Sequence, residues 1–267
     1  MLTAVKNTVR FLKMNMKCNL LSAIEYRKSF FIQAFLMMIN NLFFMLFWFV
    51  VFDINQGEIN GITMQDILYL WSFSTIAYGV ANFVFGGSKN LGKYILEGTF
   101  DTFLVQPKNI VLNVATSASD FTAFGDALYG LIVCGFAVQG DIGKYLIVVI
   151  LSVFVSVFYI CTNTMIKLLT VWLGDTENIS HVYFYTLLVT FSNYPEAIYS
   201  GFIKFLIYTI IPAGYITFVP IHFMQDFKMI HLLLLLLAAV IYIGLTAVMT
   251  KLALKKYESG NALVMRG

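Results

Sequence analysis

A chain of 267 residues that is 60% apolar and only 12% charged, with a mean hydropathy of +0.82, is too oily to bury its side chains as an ordinary soluble domain. The net charge of +3 gives no reason to expect a nucleic-acid partner. Cys18, Cys134 and Cys161 form no C-x-x-C pair and read as small hydrophobes, which argues against a disulfide framework or a zinc site.

Residues 1–28 carry Lys6, Arg10, Lys13, Lys17, Arg27 and Lys28 against one acid, Glu25. Val5, Val9, Leu12, Met16 and Leu20 recur at helical spacing, and Lys6, Arg10, Lys13 and Lys17 each follow one residue behind. That pattern predicts a basic amphipathic helix on the inner leaflet, its bases against anionic headgroups; a solvated tail with accidental periodicity is the alternative. Bases recur throughout and no small-residue cleavage site precedes the first apolar run, so a signal peptide is not expected.

A bilayer core of ~30 Å needs roughly 20 apolar residues as a helix. Five runs qualify: residues 30–52, 67–85, 121–138, 145–169 and 229–249. The loop 53–66 has three acids (Asp53, Glu58 and Asp66) and no base, whereas bases precede the first run, and Lys251, Lys255, Lys256 and Arg266 follow the last. The positive-inside rule then places both ends in the cytoplasm and the first loop outside, so the number of crossings is even. The sixth crossing is expected at 179–194, after the polar turn Gly174-Asp175-Thr176-Glu177-Asn178. Pro195, Pro212 and Pro220 break the apolar stretch beyond it into a re-entrant hairpin over about residues 195–227. A rival reading puts the sixth crossing at 201–218. The fold class expected is an all-α integral membrane protein: a cytoplasmic helix over 1–28 and a six-span transmembrane domain over 29–267.

Between the second and third runs lies a compact charged stretch, about residues 88–108, suited to gripping a water-soluble partner. Residues 92–104 are long enough for a stiff helix of two to three turns before Pro107 stops it. Lys93, Glu97 and Asp101 are its candidate coupling residues. Gly87-Ser88-Lys89-Asn90-Leu91-Gly92-Lys93 matches the start of a phosphate-binding P-loop, but Tyr94 stands where a Ser or Thr should ligate magnesium, and a membrane helix precedes it where a strand should. Nucleotide binding is therefore not expected on this chain.

Asp120 and Asp126 are the acids closest to hydrocarbon. Asp120 suits a helix N-cap, and Asp126 a pairing with a neighbouring helix, with Lys167 as a candidate partner; a proton-coupled role or a place in a transport path are the alternatives. Gln33, Asn40, Asn41 and Asn82 are candidates for gluing helices or facing a dimer seam. His222 and Asp226 stand four apart, too few ligands for a metal, and His181 and His231 are scattered. Asn178-Ile179-Ser180 is a glycosylation sequon by pattern but falls on the cytoplasmic side of this topology.

The chain resembles membrane subunits of type-2 ABC exporters, the ABC-2 permease family, over almost its whole length. The most specific piece is the run from Glu97 to Asn109, which is similar to the pattern E-G-x-x-D-x-x-L-x-x-P-x-N that follows the second span in that family. Gly125-Asp126, Tyr194-Pro195 and Tyr257-Glu258-Ser259-Gly260-Asn261 are further matches; Ile211-Pro212 departs from the Asn-Pro found in many relatives. The resemblance implies six spans, an N-terminal elbow helix, a cytoplasmic coupling helix, a re-entrant hairpin before the last span, and residence in the inner (plasma) membrane. It also implies a dimeric pore, formed with a second copy or a different permease, and an ABC ATPase partner that holds ATP and magnesium while this chain holds no cofactor. A proton-driven transporter would show inverted repeats and deeper charges, and a membrane enzyme a convergent catalytic set. The residues display neither.

Overall fold

In a computed structural model, residues 2–25, 27–59 and 61–258 are described, with their side chains except those of 2–9, 23 and 24. The surface contact expected of Lys6, and the tail residues Ser259, Gly260, Asn261 and Arg266, lie outside the described residues.

Helix α1 (Leu2–Glu25) is followed by the long α2 (Arg27–Ile54). A short antiparallel pair, β1 (Glu58–Ile59) and β2 (Ile62–Thr63), turns the chain into α3 (Met64–Phe85). Thr63 and Asp66 form a capping box that satisfies two otherwise orphaned N–H groups at the start of α3. A 3₁₀ turn (Gly86–Asn90) leads to three short helices, α4 (Leu91–Leu96), α5 (Asp101–Leu104) and α6 (Ile110–Ala115). The chain then re-enters the bundle as α7 (Ala123–Ala137) and α8 (Ile142–Leu168), the latter capped by Asp141, whose side chain accepts from the Lys144 N–H at 3.0 Å. After α9 (Thr170–Leu173), a single helical rod runs over 177–193. It consists of α10 (Glu177–His181), a π-helical stretch (Val182–Val189) and α11 (Thr190–Asn193). At ~1.5 Å per residue this rod is about 25 Å long. Next come α12 (Gly201–Ile207), a second π turn (Gly214–Phe218) that runs into α13 (Val219–Asp226), and the final α14 (Met229–Lys256).

Among the described residues, four helical segments are long and apolar enough to cross a membrane: Arg27–Ile54, Met64–Leu96, Ile142–Leu173 and Met229–Lys256. These coincide with four of the five runs expected from the sequence. The fifth, at 121–138, is the shorter apolar helix Ala123–Ala137. Residues 201–218, the rival sixth crossing, are not one helix: the chain breaks after Ile207 and resumes at Gly214, with Pro212 between.

The core is organised around α3, where Ile67, Leu70, Phe73, Ile76 and Ala77 are all buried. Two glycines set the spacing. A Cβ on Gly79 would sit 2.6 Å from the Ala127 Cβ, and one on Gly125 only 2.2 Å from the Ala34 carbonyl oxygen. Backbone contact at these points lets α7 lie between α3 and α2, the tight approach that small residues permit in membrane bundles.

Helix α1 packs near the 116–119 turn through a stripe the apolar periodicity did not contain. Asn15 Nδ2 donates to Thr116 Oγ1 and Asn19 Nδ2 to Ser119 Oγ, both at 3.0 Å, and Lys108 Nζ lies 3.4 Å from the centre of the Phe11 ring. Arg10, Lys13 and Lys17 are exposed and Leu12 and Met16 half-buried, as the pattern requires, but Leu20 is exposed. The end of the bundle that carries 86–122 and the last turn of α14 is called the near end below. The end with β1, β2 and Glu196 is the far end.

Candidate functional site

At the near end, residues 86–122 form a folded cap. Gly87 N–H donates to the Ala118 carbonyl at 2.9 Å, closing the segment on itself, and the Asp120 N–H donates to the Asn82 carbonyl at 3.0 Å, tying its end back to α3. The expected single helix over 92–104 is instead two short ones. Gly98 takes φ +73, a left-handed conformation open to glycine at no steric penalty, so the helix stops and restarts at Asp101. The rest of the motif has equally local reasons. Pro107 interrupts the chain, and the Asn109 side chain caps α6 by accepting from the Leu112 N–H at 3.1 Å.

The cap has two faces. Leu91, Ile95, Phe100 and Val114 are buried in a satellite core with Leu168 of α8 and Ala253 of α14. The Phe100 ring meets Tyr257 edge-on at 5.2 Å. Burial and the neighbouring Asp101 carboxylate push the Tyr257 hydroxyl up to about 12, so Asp101 belongs to this inner contact. The opposite face carries Lys93 and Glu97, whose i,i+4 ion pair spans 3.8 Å with both side chains more than half exposed. Such a pair adds little to stability and leaves both charges free to meet something else. The three expected coupling residues are thus split, two facing out and one facing in.

A second tie, which the sequence reading missed, closes the cap where it leads into α7. Lys89 Nζ contacts Asp120 Oδ2 at 2.7 Å, and Asp120 Oδ1 accepts from Thr122 N and Oγ1. Burial raises the Asp120 pKa, but Lys89 and Thr122 outweigh it and the net direction is down. Asp120 thus shapes the turn into α7 through Thr122.

Deeper in the bundle, Asp126 and Asn41 come together: Asn41 Nδ2 donates to Asp126 Oδ1 at 2.6 Å, both residues buried. Lys167, the expected partner of Asp126, instead pairs with Glu177 at 2.5 Å. The cause is reach. Gly125 brings α7 against α2 at Ala34, presenting Asp126 to Asn41 two turns further along, while Lys167 sits at the near end of α8 beside the start of the 177–193 rod. Asn40 is exposed on α2 and, with Asn41 and Asp126, lines a cavity of about 660 Å³ between α2, α3 and that rod. Asn82 bonds within α3 to the Tyr78 carbonyl, and Gln33 within α2 to Ser29, so neither glues helices through its side chain.

At the far end, Glu196 gathers Lys204 (2.9 Å), Tyr208 OH (2.8 Å) and His222 Nε2 (3.0 Å), stitching the turn after the rod to both arms of the 201–226 hairpin. The i,i+4 pair of His222 and Asp226 does not form; Asp226 pairs instead with Lys228 at 2.8 Å and His231 at 3.3 Å. Burial raises Glu196, yet the bonds from His222, Lys204 and Tyr208 bring it down to about 2, while the hydrogen bond to Glu196 raises His222 above its usual value. A depressed carboxyl stabilises above its unfolded pKa of ~4.3, and a raised imidazole stabilises below ~6.5. The latch should therefore be firmest between about pH 4.5 and 6.5 and weaken as pH rises through the folded His222 pKa. Melting temperature in detergent is expected to fall between pH 6 and 8.5 in the wild type and to flatten in His222→Gln.

Lipid-length apolar helices packed around α3, capped at one end by a two-faced charged segment, define a multi-pass integral membrane protein. Residues 35–261 match the model of a family described as "ABC-2 family transporter protein". The chain belongs to that family and is an ABC-2 type permease. No curated protein and no solved structure matches it.

Proposed function

We propose that the chain is the membrane-spanning subunit of an ATP-driven exporter, moved by a separate ABC ATPase that carries the ATP and magnesium. The observation that carries this reading is the sidedness of the cap. One face is built into α8 and α14 through Leu168, Ala253 and Tyr257; the other offers Lys93 and Glu97 to a partner. In this reading the near end is cytoplasmic and the protein sits in the inner membrane with both termini inside. Helices α2, α3, α7, α8, the 177–193 rod and α14 make six crossings. Helix α1 is an elbow on the inner leaflet, with Arg10, Lys13 and Lys17 towards headgroups, and the 201–226 hairpin re-enters from outside.

Work then follows a physical route. Closure of the motor displaces the outer face of the cap. The Lys89–Asp120 pair and the turn at Thr122 pass the movement to the start of α7, and the Gly125–Ala34 contact passes it to α2. Helix α2 and the rod flank the 660 Å³ cavity, so relative motion between them opens or closes it. Phe43 and Phe47 line that cavity and are half to two-thirds exposed in the single chain, which fits a seam with a second permease, identical or different. Reconstitution tests the reading. Alone in liposomes the chain should hydrolyse no ATP and carry nothing uphill; with the ATPase from its native host it should do both. Concentrative transport by the solitary chain would overturn it.

A further inference from the structure

The 660 Å³ cavity has the size of a site for a drug-sized molecule. Its walls are aromatic, with Phe43, Phe44, Phe47, Trp71, Tyr78 and Tyr194 among them. Among the described residues one carboxylate, Asp126, lines it, and no Lys, Arg or His does. Asp126 is buried, and its hydrogen-bond partner is the neutral amide of Asn41 rather than a base. Lys89, which is not among the residues lining the cavity, is held by Asp120 at 2.7 Å. Lys89 Nζ also lies 5.5 Å from the centre of the Tyr78 ring and 5.9 Å from that of Tyr185, so two tyrosines of this wall already receive a cation.

We propose that this cavity binds an amphipathic organic cation, with Asp126 as its counter-ion and the aromatic rings packed around its apolar body. An anion would meet Asp126 with like charge in a low-dielectric setting, and a neutral lipid would have no use for a buried carboxylate. A diffuse charge on an ammonium or phosphonium suits ring faces, because it sheds its water at little cost and is attracted to their electron-rich centres. The proposal rests on the reading of this cavity as the transport path.

Binding of radiolabelled tetraphenylphosphonium to the purified chain in nanodiscs tests it without any ATPase. Saturable binding is expected, weakened about tenfold or more in Asp126→Asn. On the wild type, neutral triphenylphosphine oxide should compete at least about tenfold more weakly than unlabelled tetraphenylphosphonium. That comparison keeps the proposal testable if the variant does not fold. No saturable binding, an unchanged affinity in a folded Asp126→Asn, or equal competition by the neutral compound would overturn the cation site and leave the permease reading standing. Intact binding in a chain that never couples to an ATPase would overturn the ATP-driven reading and spare the site.

Discussion

Glu97→Lys will uncouple the partner ATPase, lowering its substrate-stimulated turnover by about tenfold or more, while the chain inserts normally and melts at the wild-type temperature. The expectation follows from where the charge sits. Glu97 is half exposed, and its one ion pair in the structure, with Lys93, is long at 3.8 Å. Losing an exposed pair of that kind costs well under ~1 kcal/mol of stability. At a protein–protein contact, by contrast, reversing a charge sets it against its former partner, where mismatches cost several kcal/mol. Asp101→Lys makes the informative contrast, because Asp101 faces Tyr257 on the inner side of the cap. It should lower both coupling and melting temperature. ATPase assays of the reconstituted complex, paired with melting curves, check both variants; parallel loss of stability in the two would place Glu97 and Asp101 on the same face of the cap.

Gly125→Ala should be severely destabilising although it adds one methyl to a helix. Alanine is the better helix former by ~1 kcal/mol, so local propensity predicts a gain. The added Cβ would lie 2.2 Å from the Ala34 carbonyl oxygen and 2.9 Å from its carbonyl carbon, both backbone atoms that no rotamer change can move. Helices α2 and α7 must part, at an overpacking cost of about 1–3 kcal/mol. Their separation also strains the bond between Asn41 and Asp126, and a buried group left without a partner costs a further ~1–3 kcal/mol. Gly135→Ala on the same helix is the control: nothing lies within 4 Å of its added Cβ, so it should be neutral or mildly stabilising. Melting temperatures of the two variants in detergent make the comparison. Equal effects would show that the close approach at Gly125 does not hold α2 in place.

Much of the architecture was open to reading because apolar length and charge asymmetry act over contiguous stretches. Runs 30–52, 67–85, 145–169 and 229–249 fall on α2, α3, α8 and α14, and Pro212 breaks 201–218 as its chemistry requires. What escaped is set by side chains brought together from far apart. Nothing in the periodicity of α1 marks Asn15 and Asn19 as anchors, since their partners Thr116 and Ser119 lie about a hundred positions away. Lys167 faces Glu177 rather than Asp126 because the start of the rod folds over the end of α8, a placement composition does not encode. The Gly98 break was legible in principle. A glycine after Glu97 and before Asp101, a favoured first-turn acid, is a stop followed by a start, but the helical length of 92–104 outweighed it. Similarly, Lys89 stands inside a near-complete P-loop sequence, yet its service is to Asp120.

A photo-crosslinking residue placed in turn at Glu97, Thr99 and Thr102, all exposed on the cap, and at Asn55 in the far-end loop tests the central claim most directly. After irradiation in the native host, mass spectrometry should find an ABC ATPase joined to the three cap positions and absent from Asn55. Cap positions that capture only lipid, or an Asn55 adduct with the same ATPase, would contradict the account.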